Sequence, residues 1–131
     1  MNEIDKKELK ILIAEDNDSN YSLVQHILKN YHLTHVQNGA GSSEIKYGEE
    51  EFDLVLMDMK MPVMGGLEAT RKIREFNNRI PIIALTANAF DADRISALDA
   101  GCNEFLAKPL KKSQLLELFS KNGKLYVNIR L

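Results

Sequence analysis

Asp58 closes the apolar run Leu54-Val55-Leu56-Met57, and Glu15 and Asp16 close a second one, Ile11-Leu12-Ile13-Ala14. Runs this short, uncharged and rich in β-formers read as strands buried on both faces. The three acids therefore leave the carboxyl ends of inner strands. Carboxylates crowded at one edge repel one another unless a cation joins them or one takes up a proton. An all-oxygen donor set suits a hard ion such as magnesium, beside a carboxylate able to act as a nucleophile. Thr86 and Lys108 follow two further expected strands, the apolar Ile80 to Leu85 and the more mixed Asn103 to Ala107, at the same edge.

The elements that must position these groups alternate along the chain. Leu9 to Ala14 is a first strand, and Asp18 or Ser19 is placed to cap a helix running to about Asn30. Asn20, Leu23, Val24, Ile27 and Leu28 recur at helical spacing and are expected to face the sheet. That leaves Asn17, Asp18, Tyr21, Ser22 and Gln25 outward, with Tyr21 as the aromatic anchor of a docking surface. Leu33 to Val36 is a second strand, and Gly41 to Glu51 a weak helix. Phe52 to Asp58 is a third strand, followed by a helix from about Leu67 to Phe76. A helix from Asp91 to Ala100 stops at Gly101, and a last one spans about Lys112 to Lys121, with Leu115, Leu118 and Phe119 inward. Strand and helix repeated five times with short connections predict an α/β fold, a doubly wound parallel sheet with helices on both faces. Ligands of such sheets bind beyond the carboxyl ends of the strands.

Bulk composition narrows the function. A chain of 131 residues suits one domain, with 44% hydrophobic and 27% charged residues as in ordinary soluble proteins. A net charge of −2 favours neither nucleic acid nor an anionic membrane. The single cysteine, Cys102, excludes an internal disulfide and reads as a small core residue in a reducing compartment. No apolar stretch is long enough to span a bilayer, so the chain reads as cytoplasmic, or as the cytoplasmic part of a membrane-anchored protein. Residues 9–121 form the expected domain, with 1–8 a linker and 122–131 a tail. Leu125, Val127, Ile129 and Leu131 alternate with polar residues there, a strand-like pattern able to dock on a sheet edge or another copy as a weak homodimer. His26, His32 and His35 read as surface or partly buried residues without chemistry.

Four stretches in order carry a resemblance: Ile13-Ala14-Glu15-Asp16-Asn17, Leu56 to Gly66 around Asp58, Ala84-Leu85-Thr86-Ala87-Asn88-Ala89, and Leu106-Ala107-Lys108-Pro109. Together they resemble the receiver domain of two-component response regulators, most of all receivers attached to hybrid sensor histidine kinases. The resemblance implies a five-stranded flavodoxin-like sheet of order 2-1-3-4-5. It implies a phosphoacceptor at Asp58, charged by a histidine kinase or histidine phosphotransfer domain. It also implies Mg2+ held by Asp16 and Asp58, by Glu15 through water and by the Lys60 backbone carbonyl. Lys108 would be a point charge on a phosphoryl oxygen. Thr86 and Phe105 would form the switch; many members carry a tyrosine where Phe105 stands, so the outer hydroxyl is missing.

Two other functions are weaker. A haloacid-dehalogenase-type phosphatase also uses an aspartate nucleophile and magnesium but wants a second Asp two residues on, where this chain has Lys60. A flavodoxin-like cofactor binder wants a phosphate loop after the first strand, where Glu15-Asp16-Asn17-Asp18 would repel phosphate.

Overall fold

The computed structural model of the protein describes residues 10–29, 31–37, 52–60, 65–77, 79–87, 91–108 and 110–121. The expected linker, the weak helix at 41–51 and the strand-like tail lie outside them.

Strands β1 (Lys10–Ala14), β2 (His32–Val36), β3 (Leu54–Asp58), β4 (Ile82–Thr86) and β5 (Glu104–Ala107) form one sheet. Its order is β2-β1-β3-β4-β5, and every pairing is parallel. The helices are α1 (Asp18–Ile27), α2 (Gly66–Arg74), α3 (Asp91–Ala100) and α4 (Lys112–Lys121). The inner strands β3 and β4 are buried along their whole length. This is why their sequences are unbroken apolar runs and not alternating ones.

Side-chain alternation divides the core. Ile11, Ile13, Leu54, Leu56, Ile83 and Leu85 pack with Val24 of α1, with Leu28 just past its end, and with Leu115 of α4. Leu12, Val55, Met57, Ile82 and Ala84 pack on the other face with Ala69 and Ile73 of α2 and Ala97 of α3. Each buried aliphatic side chain contributes about 1.5–3 kcal/mol of transfer free energy. The same alternation puts Asp58, the last residue of β3, and Glu15 and Lys108, one residue past β1 and β5, on the α1/α4 face. It puts Thr86 and Phe105 on the α2/α3 face.

Three local readings of the first helix need correction. The cap is Asn17, whose side chain accepts the Asn20 N–H at 2.9 Å, and not Asp18 or Ser19. The helix ends at Ile27, because Leu28 leaves helical geometry and buries completely. The inward face is rotated: Leu23 is 37% exposed, whereas Tyr21 packs against the core. Apolar spacing marks a stripe on a helix but not which edge of the stripe the sheet covers. The side chains of Leu118 and Phe119 lie outside those described.

Candidate functional site

The site is built at the carboxyl ends of four parallel strands. Ala14 pairs with Met57, so Glu15, just past β1, comes level with Asp58, the last residue of β3. Thr86 pairs with Ala107, which places Lys108 one residue further on. The Lys108 N–H donates to the Thr86 carbonyl at 2.6 Å, holding the lysine backbone against the end of β4.

Lys108 Nζ lies 2.9 Å from Glu15 Oε1 and 3.1 Å from Asp58 Oδ1. Glu15 and Asp58 are 1% and 3% exposed, and Asp16, one residue on, is exposed. One carboxylate oxygen from each of Glu15, Asp16 and Asp58 falls within 4.8 Å of the others. Three acids and one ammonium leave this pocket short of positive charge. Burial, then hydrogen bonding and repulsion from Glu15, push the Asp58 carboxyl up to about 7. The Lys60 N–H, 3.2 Å from Asp58 Oδ1, and the Lys108 charge pull the other way. Desolvation alone would lower the Lys108 ammonium, but Glu15 and Asp58 outweigh it and raise its pKa.

The residues fit a divalent cation. Glu15 Oε1 is buried with no partner among the described residues but the Lys108 ammonium, 2.9 Å away. The clustered donors are all carboxylate oxygens, the type a hard ion prefers. A dication there would relieve the repulsion and give that oxygen a second partner.

Of the residues singled out from sequence, Glu15, Asp16, Asp58 and Lys108 converge directly. Thr86 is buried at the end of β4. Phe105 is partly buried against the α2/α3 core, and its strand partner Ala84 lies two residues before Thr86. Lys60 enters through its N–H. Asn17, Asp18, Ser22 and Gln25 are exposed beside the site, while Tyr21 is half-buried and stacked on His35.

Two contributors escaped sequence reasoning. Gly66 lets α2 start against the Asp58 backbone: an added Cβ would lie 2.8 Å from Met59 Cα and collide with the Asp58 carbonyl oxygen. The Gly65-Gly66 pair signalled a turn but not this close approach. The other is His35, whose ring nitrogen Nε2 sits 2.7 Å from the Glu15 carbonyl oxygen. Nothing local in the sequence signals that contact, since 20 residues separate the partners.

A doubly wound sheet with acids, a lysine and a threonine at its carboxyl edge defines a class of small α/β domains that accept phosphoryl groups. Comparison with known proteins identifies the family: the model of the response regulator receiver domain matches residues 11–120, and the chain belongs to it. Hybrid signal transduction histidine kinase G of Dictyostelium discoideum is 39% identical over 92% of this chain. The chain spans 4% of that kinase's length, and 13% of the autoinducer 2 sensor kinase/phosphatase LuxQ of Vibrio vulnificus. The receiver domain of sensor histidine kinase PA1611 from Pseudomonas aeruginosa PAO1, solved with magnesium in its active-site cleft, superposes with a TM-score of 0.80 at 36% identity. That match covers 92% of this chain and 98% of the other. The receiver of Ssk1 from Saccharomyces cerevisiae, crystallised with the histidine phosphotransfer protein Ypd1, gives a TM-score of 0.81 at 29% identity over 88% of each chain. Receiver domains are signalling modules, and the phosphatase reading finds no support among these relatives.

Proposed function

We propose that this receiver domain takes a phosphoryl group from a phosphohistidine onto Asp58, with Glu15 and Asp16 completing a magnesium site. The observation that carries the reading is the buried Asp58 carboxylate, held 3.1 Å from Lys108 and clustered with two further acids.

One Asp58 oxygen attacks phosphorus, the P–N bond to the donor imidazole breaks, and the departing nitrogen takes up a proton. Bound Mg2+ supplies charge neutralisation between the anionic nucleophile and the anionic phosphoryl group. Asp16 and Asp58 are its direct protein ligands in this reading, with Glu15 acting through water and the Lys60 carbonyl completing the set. Lys108 exchanges its carboxylate contacts for a phosphoryl oxygen, and the Thr86 hydroxyl turns to another. Thr86 and Phe105 share one face of the sheet, so a shift of the threonine toward phosphate opens space for the Phe105 ring.

The donor is a histidine kinase or a histidine phosphotransfer domain. It docks on Asn17, Asp18, Tyr21, Ser22 and Gln25, at the end of α1 that lies over Asp58. Support comes from the exposure of four of these side chains and from the Ypd1 complex of the Ssk1 receiver. The domain then belongs to the cytoplasmic side of its signalling pathway.

Incubation with acetyl phosphate and Mg2+, read by intact mass, tests the reading. A single phosphate adduct that needs Mg2+ is expected. An adduct that persists in Asp58→Asn, or forms equally in excess chelator, overturns it.

A further inference from the structure

The turn that carries Glu15 and Asp16 is pinned at several points. The Glu15 N–H donates to the Val36 carbonyl at 3.0 Å, extending the β1–β2 ladder past Ala14. The Asn17 N–H donates to Glu15 Oε2 at 3.2 Å, and Asn17 Oδ1 caps α1. The Glu15 carbonyl is held by a side chain from β2, His35, at 2.7 Å. A carbonyl oxygen only accepts, so Nε2 carries the proton in this contact whatever the state of Nδ1.

The His35 ring is itself held. Tyr21, on the first turn of α1, stacks on it with ring centroids 3.7 Å apart and planes 7° from parallel. Tyr21 in turn starts the helical ladder, its N–H donating to the Asn17 carbonyl at 3.0 Å. The chain of contacts closes on itself: Glu15, His35, Tyr21, Asn17 and back to Glu15.

The Glu15 carbonyl and the Asp16 N–H belong to one rigid peptide plane. Asp16 is exposed, so packing does not aim its carboxylate; the plane that leads into it does. We infer that His35 is a positioning residue, which fixes the Glu15 carbonyl through Nε2–H and thereby aims Asp16 at the cation site, with Tyr21 as its support. The inference rests on the reading of Glu15 and Asp16 as cation-binding acids. Outer partners of metal ligands govern affinity in this way, typically by 10–100-fold on removal.

Two substitutions separate the hydrogen bond from the ring. His35→Gln keeps an N–H at the same number of bonds from Cα but loses the stack. His35→Phe keeps a ring against Tyr21 but loses the donor. Magnesium affinity is measured by calorimetry without any phosphodonor. Amide hydrogen exchange at Asn17 is measured in metal-free protein. The expected result is about tenfold weaker Mg2+ binding in His35→Phe with faster exchange at Asn17, and near-parental values for both in His35→Gln. Parental affinity and exchange in His35→Phe overturn the inference. So does a loss in both variants that tracks their melting temperatures, which would mark His35 as packing only. Failure of the parent to bind Mg2+ or accept phosphate overturns the functional reading instead, and the exchange at Asn17 still decides the positioning.

Discussion

Lys108 follows β5 and Arg74 packs against the residues just before it, so the two cations hold opposite ends of the same strand. Arg74 Nε donates to the Gly101 carbonyl at 2.9 Å and Nη1 to the Asn77 carbonyl at 3.0 Å. Nη2 donates to Asn103 Oδ1 at 2.9 Å, and that oxygen also accepts the Ile82 N–H at 2.9 Å. Every acceptor there is a neutral oxygen; burial lowers the guanidinium pKa, and only the Cys102 thiol pulls the other way. The Lys108 end is the reverse. Its ammonium faces two carboxylates with a third nearby, one buried oxygen has no partner but that ammonium, and Asp58 is pushed up to about 7. Neutral acceptors around one cation tie α2 to the segment between α3 and β5. A pocket with surplus negative charge is relieved by taking up a cation or a proton, which leaves it responsive to a ligand.

The sharpest way to break this contrast is to disable each end in turn. Asp58→Asn should abolish the phosphate adduct entirely, while Arg74→Met should lower stability by about 2 kcal/mol in urea titrations and leave the adduct level of the folded protein unchanged. If Arg74→Met abolishes phosphorylation, the two ends are not separable.

Acidity gives a second test. The Asp58 carboxyl binds its proton more tightly in the folded protein, near 7, than in the unfolded chain, near 3.8. The folded state therefore holds the extra proton across this window. The stability of metal-free protein should fall as pH rises from about 4 through about 7, measured by thermal unfolding in chelator. Asp58→Asn should remove that slope, and saturating Mg2+ at about 100 times its Kd should add roughly 2.7 kcal/mol above pH 7. A metal-free parent whose stability rises across the window would contradict the crowded-acid picture.

The glycines sharpen the contrast with smaller effects. Gly101 adopts φ 120° against Arg74, and Gly66 presses on the backbone of Asp58 and Met59. Each alanine substitution should cost about 1–3 kcal/mol. Only Gly66→Ala should also slow phosphorylation by acetyl phosphate, because only it displaces the nucleophile. Equal slowing in both variants would mean that stability, and not geometry, sets the rate.

The smallest effect expected is at the docking surface. Gln25→Ala should slow transfer from a histidine phosphodonor protein by about threefold or less without changing the acetyl phosphate rate. Slowing of both reactions would place the docking surface elsewhere.

Much of this was legible in the chain. Unbroken runs such as Leu54 to Met57 are strands because a parallel sheet covered on both faces removes every side chain from water. Where such a run stops at an acid, the acid must sit at the sheet's edge, so Glu15, Asp16 and Asp58 could be gathered before any coordinates. The helices at 91–100 and 112–121 match their expected bounds, the first of them stopping before a glycine whose φ is positive. Boundaries elsewhere moved by one to three residues, the most at the end of the first helix, where Leu28 leaves helical geometry and buries.

What the sequence determined alone is therefore periodic or local: which runs are strands, which acids end them, and where the helix-stopping glycine at 101 falls. Only the tertiary structure decided which groups meet. Strand register brought Lys108 between Glu15 and Asp58. The rotation of α1 turned Tyr21 from the solvent onto His35 and left Leu23 exposed. His35 reached Glu15 because β1 and β2 are neighbours. A side-chain contact across a sheet depends on register and on the packing of a helix above it. Both are settled by the whole core at once, so neither leaves a mark in the spacing of residues along the chain.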